Sequence, residues 1–191
     1  MGKIYYVMGK SCSGKDTIYR RLTERHPELH TIIPYTTRPI REGERDGVEY
    51  FFADQERMEE MQTSGRIIEL RSYNTVRGVW NYFTADDGQI CLQENSYLMI
   101  GTLESYQSMR DYFGKDALVP IYVEVEDGIR LERAIGRERK QIRPQYEEMC
   151  RRFLADAKDF SEDNLMRAGI IKRFNNVDLE QCLSEIEECI R

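Results

Sequence analysis

Gly9-Lys10-Ser11-Cys12-Ser13-Gly14-Lys15-Asp16-Thr17 places two glycines five residues apart with a lysine directly after the second. It fits G-x-x-x-x-G-K, with Asp16 standing where Ser or Thr is usual. Glycines let backbone N–H groups converge on phosphate oxygens, and a helix starting at such a loop adds a favourable dipole. Lys15 would reach the β- and γ-phosphates. The flanks agree with that chemistry. The run Ile4 to Met8 has the composition of a strand buried on both faces. Ile18 and Leu22, four apart, mark the inner side of a helix from about Gly14 to Arg25, which Pro27 ends. The loop is therefore expected to hold a nucleoside triphosphate on residues 9 to 17, with Gly9, Ser11, Cys12, Ser13, Gly14, Lys15, Asp16 and Thr17 around it. Asp16 has two readings. It is a first-turn carboxylate that favours the helix dipole, or an oxygen ligand for magnesium, directly or through water.

Outward from the loop, strand signals alternate with helix signals. Thr31 to Tyr35 predicts a short strand, and Glu49 to Phe52 a β-rich run. Asp54 predicts the cap of a helix carrying Met58 and Met61 and stopped at Gly65. Strands are expected at Arg66–Leu70, Tyr97–Ile100, Leu118–Val125 and Gly169–Phe174. Gly128 to Phe160 reads as arginine-dense helix interrupted at Gly136 and Pro144, and a last helix from Asp178 carries Leu179, Cys182, Leu183 and Ile186 on one side. This alternation predicts an α/β fold with a parallel sheet covered on both faces.

Composition narrows the partners. The 191 residues suit one core with small insertions, and a net charge of -6 argues against wholesale binding of nucleic acid or anionic membrane. Five scattered cysteines without a C-x-x-C pair predict free thiols in a reducing cytoplasm rather than disulfides or zinc. Cys12 reads as a small buried filler or as an oxidant-sensitive thiol at a helix N-terminus. The apolar run at the N-terminus is too short for a signal peptide, and His26 and His30 lie just past a predicted helix, where no metal role is expected.

The second concentration of chemistry lies in Thr36-Thr37-Arg38-Pro39-Ile40-Arg41-Glu42-Gly43-Glu44-Arg45-Asp46-Gly47-Val48-Glu49-Tyr50. Arg38 and Arg41 can grip a phosphate with planar forks, and Tyr50 can add a hydroxyl donor. A solvated loop in which Glu42, Glu44 and Asp46 pair with the arginines is the other reading. Together with the loop at 9–17, this segment resembles the guanylate kinase family, whose monophosphate site carries T-T-R-x-x-R-x-G-E-x-x-G-x-x-Y. The similarity continues through Ile67-Ile68-Glu69 and Asn81-Tyr82-Phe83-Thr84, and reaches Asn176-Val177-Asp178-Leu179 near the end.

The resemblance implies a P-loop NTPase three-layer fold with a parallel central sheet, a core of 1–33, 85–135 and 153–191, a GMP-binding insert at 34–84 and a helical lid at 136–152. It implies ATP and GMP or dGMP as substrates, magnesium as the cofactor, and a cytoplasmic monomer or homodimer with no nucleic-acid or membrane partner. Arg38, Arg41, Tyr50, Glu69, Tyr82 and Thr84 would bind GMP, and Asn176 would contact ATP. Lys15, Arg38, Arg137 and Arg152 would carry catalysis, and the remaining lid arginines would be structural. The pattern departs from the family at three places. Met99-Ile100-Gly101 holds no carboxylate, Pro34 stands where a guanine-reading serine is usual, and the segment between Glu69 and Tyr82 is long, with Tyr73, Asn74, Trp80 and Asn81 as replacement contacts. The missing strand-end carboxylate would make Asp16 the candidate for a relocated magnesium ligand. A kinase for another small phosphate acceptor and a non-catalytic binding module on the same fold remain open.

Overall fold

The structure, a computed structural model, describes residues 1–75 and 78–190. In chain order its elements are β1 (Ile4–Met8), α1 (Lys15–Arg25), β2 (His30–Thr31), β3 (Tyr35–Thr36), β4 (Phe51–Phe52), α2 (Gln55–Thr63), β5 (Ile67–Thr75), β6 (Gly78–Ala85) and β7 (Tyr97–Gly101). Then follow α3 (Leu103–Phe113), β8 (Leu118–Glu124), α4 (Asp127–Glu138), α5 (Tyr146–Asp159), α6 (Glu162–Arg167), β9 (Arg173–Asn175) and α7 (Leu179–Ile190). Five strands form one sheet in the order β2-β7-β1-β8-β9, with β2 parallel to β7 and β8 parallel to β9. Four form a second, mixed sheet in the order β4-β3-β6-β5. The α/β fold with its parallel sheet is as expected.

Chain contacts divide into two compact units. One holds residues 1–4, 28–99 and 104–118, and the other residues 5–27, 100–103 and the chain from 119 onward. The first contains the mixed sheet. β3 pairs parallel with β4 and antiparallel with β6, and β6 pairs antiparallel with β5 in a long hairpin. Alternation along these strands gives the sheet two unlike faces. Tyr35, Leu70 and Phe83 pack with Met58 and Met61 of α2 in one apolar cluster. Burying Met58, Met61 and Phe83 contributes roughly 1.5–3 kcal/mol each. Asp54 caps α2 as expected, its Oδ1 accepting from the Arg57 N–H at 2.8 Å. Thr36, Tyr82, Thr84, Glu69 and Arg71 belong to the opposite face, where Thr36 is paired with Tyr82, Glu69 with Thr84 and Arg71 with Tyr82.

In the other unit, β1 is wholly buried, and Ile18 and Leu22 are the buried residues of α1. α4 continues through Gly136, so the break falls later than that glycine. Glu138, buried at its end, organises the return. Its Oε1 accepts from the Gln141 amide at 2.9 Å and its Oε2 from the Gln145 N–H at 2.9 Å, at the entry to α5. α7 buries Cys182, Leu183 and Ile186, as their spacing predicts.

Two expected strands are corrected. Thr31–Tyr35 is not continuous: Thr31 ends β2 and Tyr35 begins β3. Pro34 offers no N–H to a ladder. The Ile33 N–H instead meets Gln89 Oε1 at 2.9 Å, and the Pro34 carbonyl accepts from Phe51. Gly169–Phe174 is strand only from Arg173, because its first residues close α6. Gly169, at φ +75°, lets the Ile170 N–H reach back to the Leu165 carbonyl.

Candidate functional site

The loop between β1 and α1 is shaped by close approach. A Cβ on Gly9 would lie 2.3 Å from the Val123 carbonyl oxygen, and one on Gly14 would lie 2.1 Å from Asn176 Nδ2. Gly14 also has φ +92°, a conformation open to glycine at little cost. Cys12 adopts φ +63° without that freedom, so the loop tip stores strain. The chain around it supplies the restraint. Asn176 is buried and its carboxamide donates to the Ser13 carbonyl at 2.8 Å, while Arg133 donates to the Asn176 carbonyl at 3.0 Å. Arg130, fully buried, donates from Nε to the Ser11 carbonyl at 2.9 Å, pairs with Asp127 and Asp156, and lies over the Phe153 ring. Asp156 Oδ2 also accepts from the Ser11 N–H at 2.8 Å. The Ser13 hydroxyl is buried with no hydrogen-bond partner among the described residues.

Lys15 pairs with Asp16 at 3.1 Å, and the Asp16 side chain is 81% exposed. Ser11 and Cys12 share one small cleft with Arg137 of α4 and Arg152 of α5. The two arginines expected at the transferring phosphate thus stand beside the loop. Arg130 and Arg133 bind backbone carbonyls and so hold the loop's shape. Arg151 forks Glu148 and, with Arg152, keeps that carboxyl down at about 2. Asn176, expected against ATP, is positioned behind the loop through its contact with Ser13.

On the mixed sheet the expected acceptor residues gather on the polar face and its rim. Arg38, its side chain 3% exposed, forks Glu44 through Nη1 and Nη2 at 2.7 and 2.6 Å. Its guanidinium lies 5.1 Å from the Tyr50 ring centre and 5.5 Å from that of Phe52. Tyr82 packs edge-on against Tyr50 and against Tyr73. The fork from Arg38, together with the Arg41 N–H, holds the Glu44 carboxyl down at about 2, and the same fork raises the Arg38 guanidinium. Burial raises the Tyr50 phenol. The Arg38 Nε–H is buried with no hydrogen-bond partner among the described residues. Arg41 is exposed and its backbone N–H donates to Glu44 at 2.8 Å. Glu69 accepts from Thr84 Oγ1 at 2.9 Å and from the Arg71 fork. Asn81 is engaged otherwise: its carbonyl oxygen Oδ1 accepts from Ser72, and its backbone and amide N–H groups reach Thr37.

Sequence reading missed Arg71 and Asp156. Arg71 carried a usable signal, since residues two apart on a strand share a face. Asp156 carried none, being 145 residues from Ser11.

A buried strand, a glycine loop and a helix, with helix-borne arginines beside the loop, define a P-loop nucleotide-binding protein. A family model described as guanylate kinase matches residues 1–80. The chain is 28% identical to a guanylate kinase of Parasynechococcus marenigrum over 98% of its own length and 97% of that protein's. It is 48% identical to a guanylate kinase of Frankia casuarinae over a shorter stretch, 33% of this chain and 34% of that one. The fold matches the crystal structure of guanylate kinase from Anaplasma phagocytophilum with a TM-score of 0.68 at 18% identity, covering 100% of this chain and 85% of that chain. The chain is thus similar to guanylate kinases along nearly its whole length, and the family model matches its first 80 residues.

Proposed function

We propose that this protein transfers the γ-phosphate of ATP to GMP or dGMP, giving ADP and the guanosine diphosphate. The observation that carries this reading is the buried Arg38 Nε–H, without a partner among the described residues, on a sheet rim that also presents Tyr50 and Tyr82. A buried donor without an acceptor costs about 1–3 kcal/mol, and a monophosphate oxygen would satisfy it. Arg38, Arg41, Tyr50 and Tyr82 hold that phosphate, and Glu69 and Thr84 meet the base. The four strands of the mixed sheet and α2 all fall between Tyr35 and Ala85, which supports an acceptor-binding insert at 34–84.

The loop with Gly9, Ser11, Cys12, Ser13, Gly14, Lys15, Asp16 and Thr17 cradles the triphosphate of ATP, with Asn176 holding the loop. Lys15, Arg137 and Arg152 neutralise charge developing on the transferred group. The segment 136–152 acts as the lid that brings its arginines up. No general base is needed, because the acceptor phosphate is largely ionised at neutral pH.

Asp16 suits magnesium: it is an exposed carboxylate whose partner is the neighbouring ammonium, and this cation takes one or two carboxylates together with water and phosphate oxygens. When bound there, magnesium would supply positive charge against that of the triphosphate. The protein works on free nucleotides as a monomer or homodimer in the cytoplasm, without nucleic acid or membrane. All five cysteines are free thiols, which suits a reducing compartment. Among the described residues no helix is long and apolar enough to cross a membrane.

The test is a phosphoryl-transfer assay with ATP, magnesium and GMP, dGMP, AMP, UMP or ribose bisphosphate. ADP release with GMP and dGMP alone is expected. Turnover only with ribose bisphosphate would replace the acceptor, and none with any acceptor would leave a binding module.

A further inference from the structure

α5 has two unlike sides. Met149, Arg152 and Phe153 turn toward the cleft beside the phosphate loop. No residue of the helix is buried. Along a second side, Tyr146, Cys150, Leu154 and Ala157 follow one another at intervals of four, four and three, which keeps them in one row. All four are exposed, Tyr146 at 46% and Leu154 at 70%. Ile142, four residues ahead of Tyr146 in the turn that enters the helix, is fully exposed as well. Single apolar residues on a surface are ordinary, but a row at helical spacing marks a face that another body covers.

The charges beside the row say what that body is. Glu147 follows Tyr146 and Lys158 follows Ala157, so both stand on the same flank of the row, the acid at its start and the base at its end. Both are exposed. Arg151, between them on that flank, is forked by Glu148 of its own helix. A lipid surface or a nucleic acid favours one sign of charge along its contact, and here the two ends differ in sign. A surface with an apolar middle and ends of opposite charge is complementary to itself. Turned end for end about a two-fold axis at the middle of the row, a second copy lays its own row on the first, and Glu147 of each copy faces Lys158 of the other.

We propose that this side of α5 is the interface of a homodimer, in which two copies of the chain pack antiparallel through Tyr146, Cys150, Leu154 and Ala157. The row runs along roughly 16 Å of helix. One helix pair of that length falls short of the roughly 800 Å² per partner of a standard interface, so the dimer is weak and concentration-dependent. The assignment is independent of which acceptor the protein phosphorylates, and its test needs no catalysis.

The experiment is sedimentation velocity of the full chain between about 1 μM and 1 mM, the range in which a weak dimer forms and dissociates. The wild type should pass from one copy to two. Leu154→Glu should weaken association by at least about tenfold, the effect of losing a central apolar contact. Leu154 lies on the surface, so the variant keeps its fold, and circular dichroism checks this. Glu147→Lys and Lys158→Glu should each weaken self-association. Mixed together, they should form a heterodimer about fivefold tighter than either variant alone, because each then meets its opposite charge at both ends. A chain that sediments as one copy over the whole range overturns the proposal and leaves the row to a different partner. A dimer that Leu154→Glu leaves intact overturns this surface, and a mixture that gains nothing over its components overturns the antiparallel pairing.

Discussion

Replacing Gly14 by Ala probes the loop at its tightest point. The new Cβ would lie 2.1 Å from Asn176 Nδ2, far inside contact distance, at a backbone φ of +92°. Holding alanine in the left-handed region costs roughly 1–2 kcal/mol. Displacing the Asn176 amide breaks its 2.8 Å bond to the Ser13 carbonyl. Each buried polar group left unsatisfied then costs about 1–3 kcal/mol. Gly14→Ala should therefore destabilise the protein by about 2–5 kcal/mol. Asn176→Ala removes the obstructing atoms with the donor, and should cost about 1–3 kcal/mol, since Arg133 still approaches the Ser13 carbonyl. The double variant should then lose less than the sum of the two by about 2 kcal/mol, a coupling typical of groups in contact. Urea unfolding followed by circular dichroism of all four proteins gives the cycle. Strict additivity, or a Gly14→Ala protein within 1 kcal/mol of wild type, would show that the contact does not govern the loop.

Two further outcomes are expected. Glu44 is held at about 2 in the folded protein against a usual 4.5, so its contribution is present above pH 4.5 and lost as pH falls towards 2. The stability gap between wild type and Glu44→Gln, about 1–2 kcal/mol at pH 7, should close over that window in urea titrations; a gap that persists unchanged at pH 2 contradicts the assignment. Asp16→Ala should raise the magnesium concentration for half-maximal ADP release by about tenfold, and Asp16→Ser, which restores the hydroxyl usual at this position, by less. Wild-type magnesium curves in both would leave Asp16 as a helix-dipole residue.

What the sequence disclosed follows the range of the interactions involved. β1, the loop and α1 are set by adjacent residues, and Ile18 and Leu22 are buried where their spacing puts them. The mixed sheet was only half legible. Its hairpin strand β6 contains Asn81-Tyr82-Phe83-Thr84, which reads first as a motif, and β3 follows β2 closely in the chain yet joins the other sheet, a change of partner that no local pattern marks. α3 went unread because Leu103, Tyr106 and Met109 give a thin apolar stripe among polar residues and tyrosines. The acceptor residues gather where strand alternation sends them, but the fork of Arg38 on Glu44 needs the loop's actual turn. The Arg130 and Asp156 supports join residues more than a hundred positions from the loop, and no local pattern marks them.

The carboxylate of Asp156 sits one helical turn after Arg152 on α5, and Asp156 grips the backbone of Ser11. One rigid rod thus carries both a fastening to the loop and an arginine that lines the cleft beside it. Occupancy of the loop and the placement of α5 are then linked quantities, each shifting the other by the same free energy. A substitution at Asp156 should alter the nucleotide's hold on the loop as surely as a ligand would alter the helix.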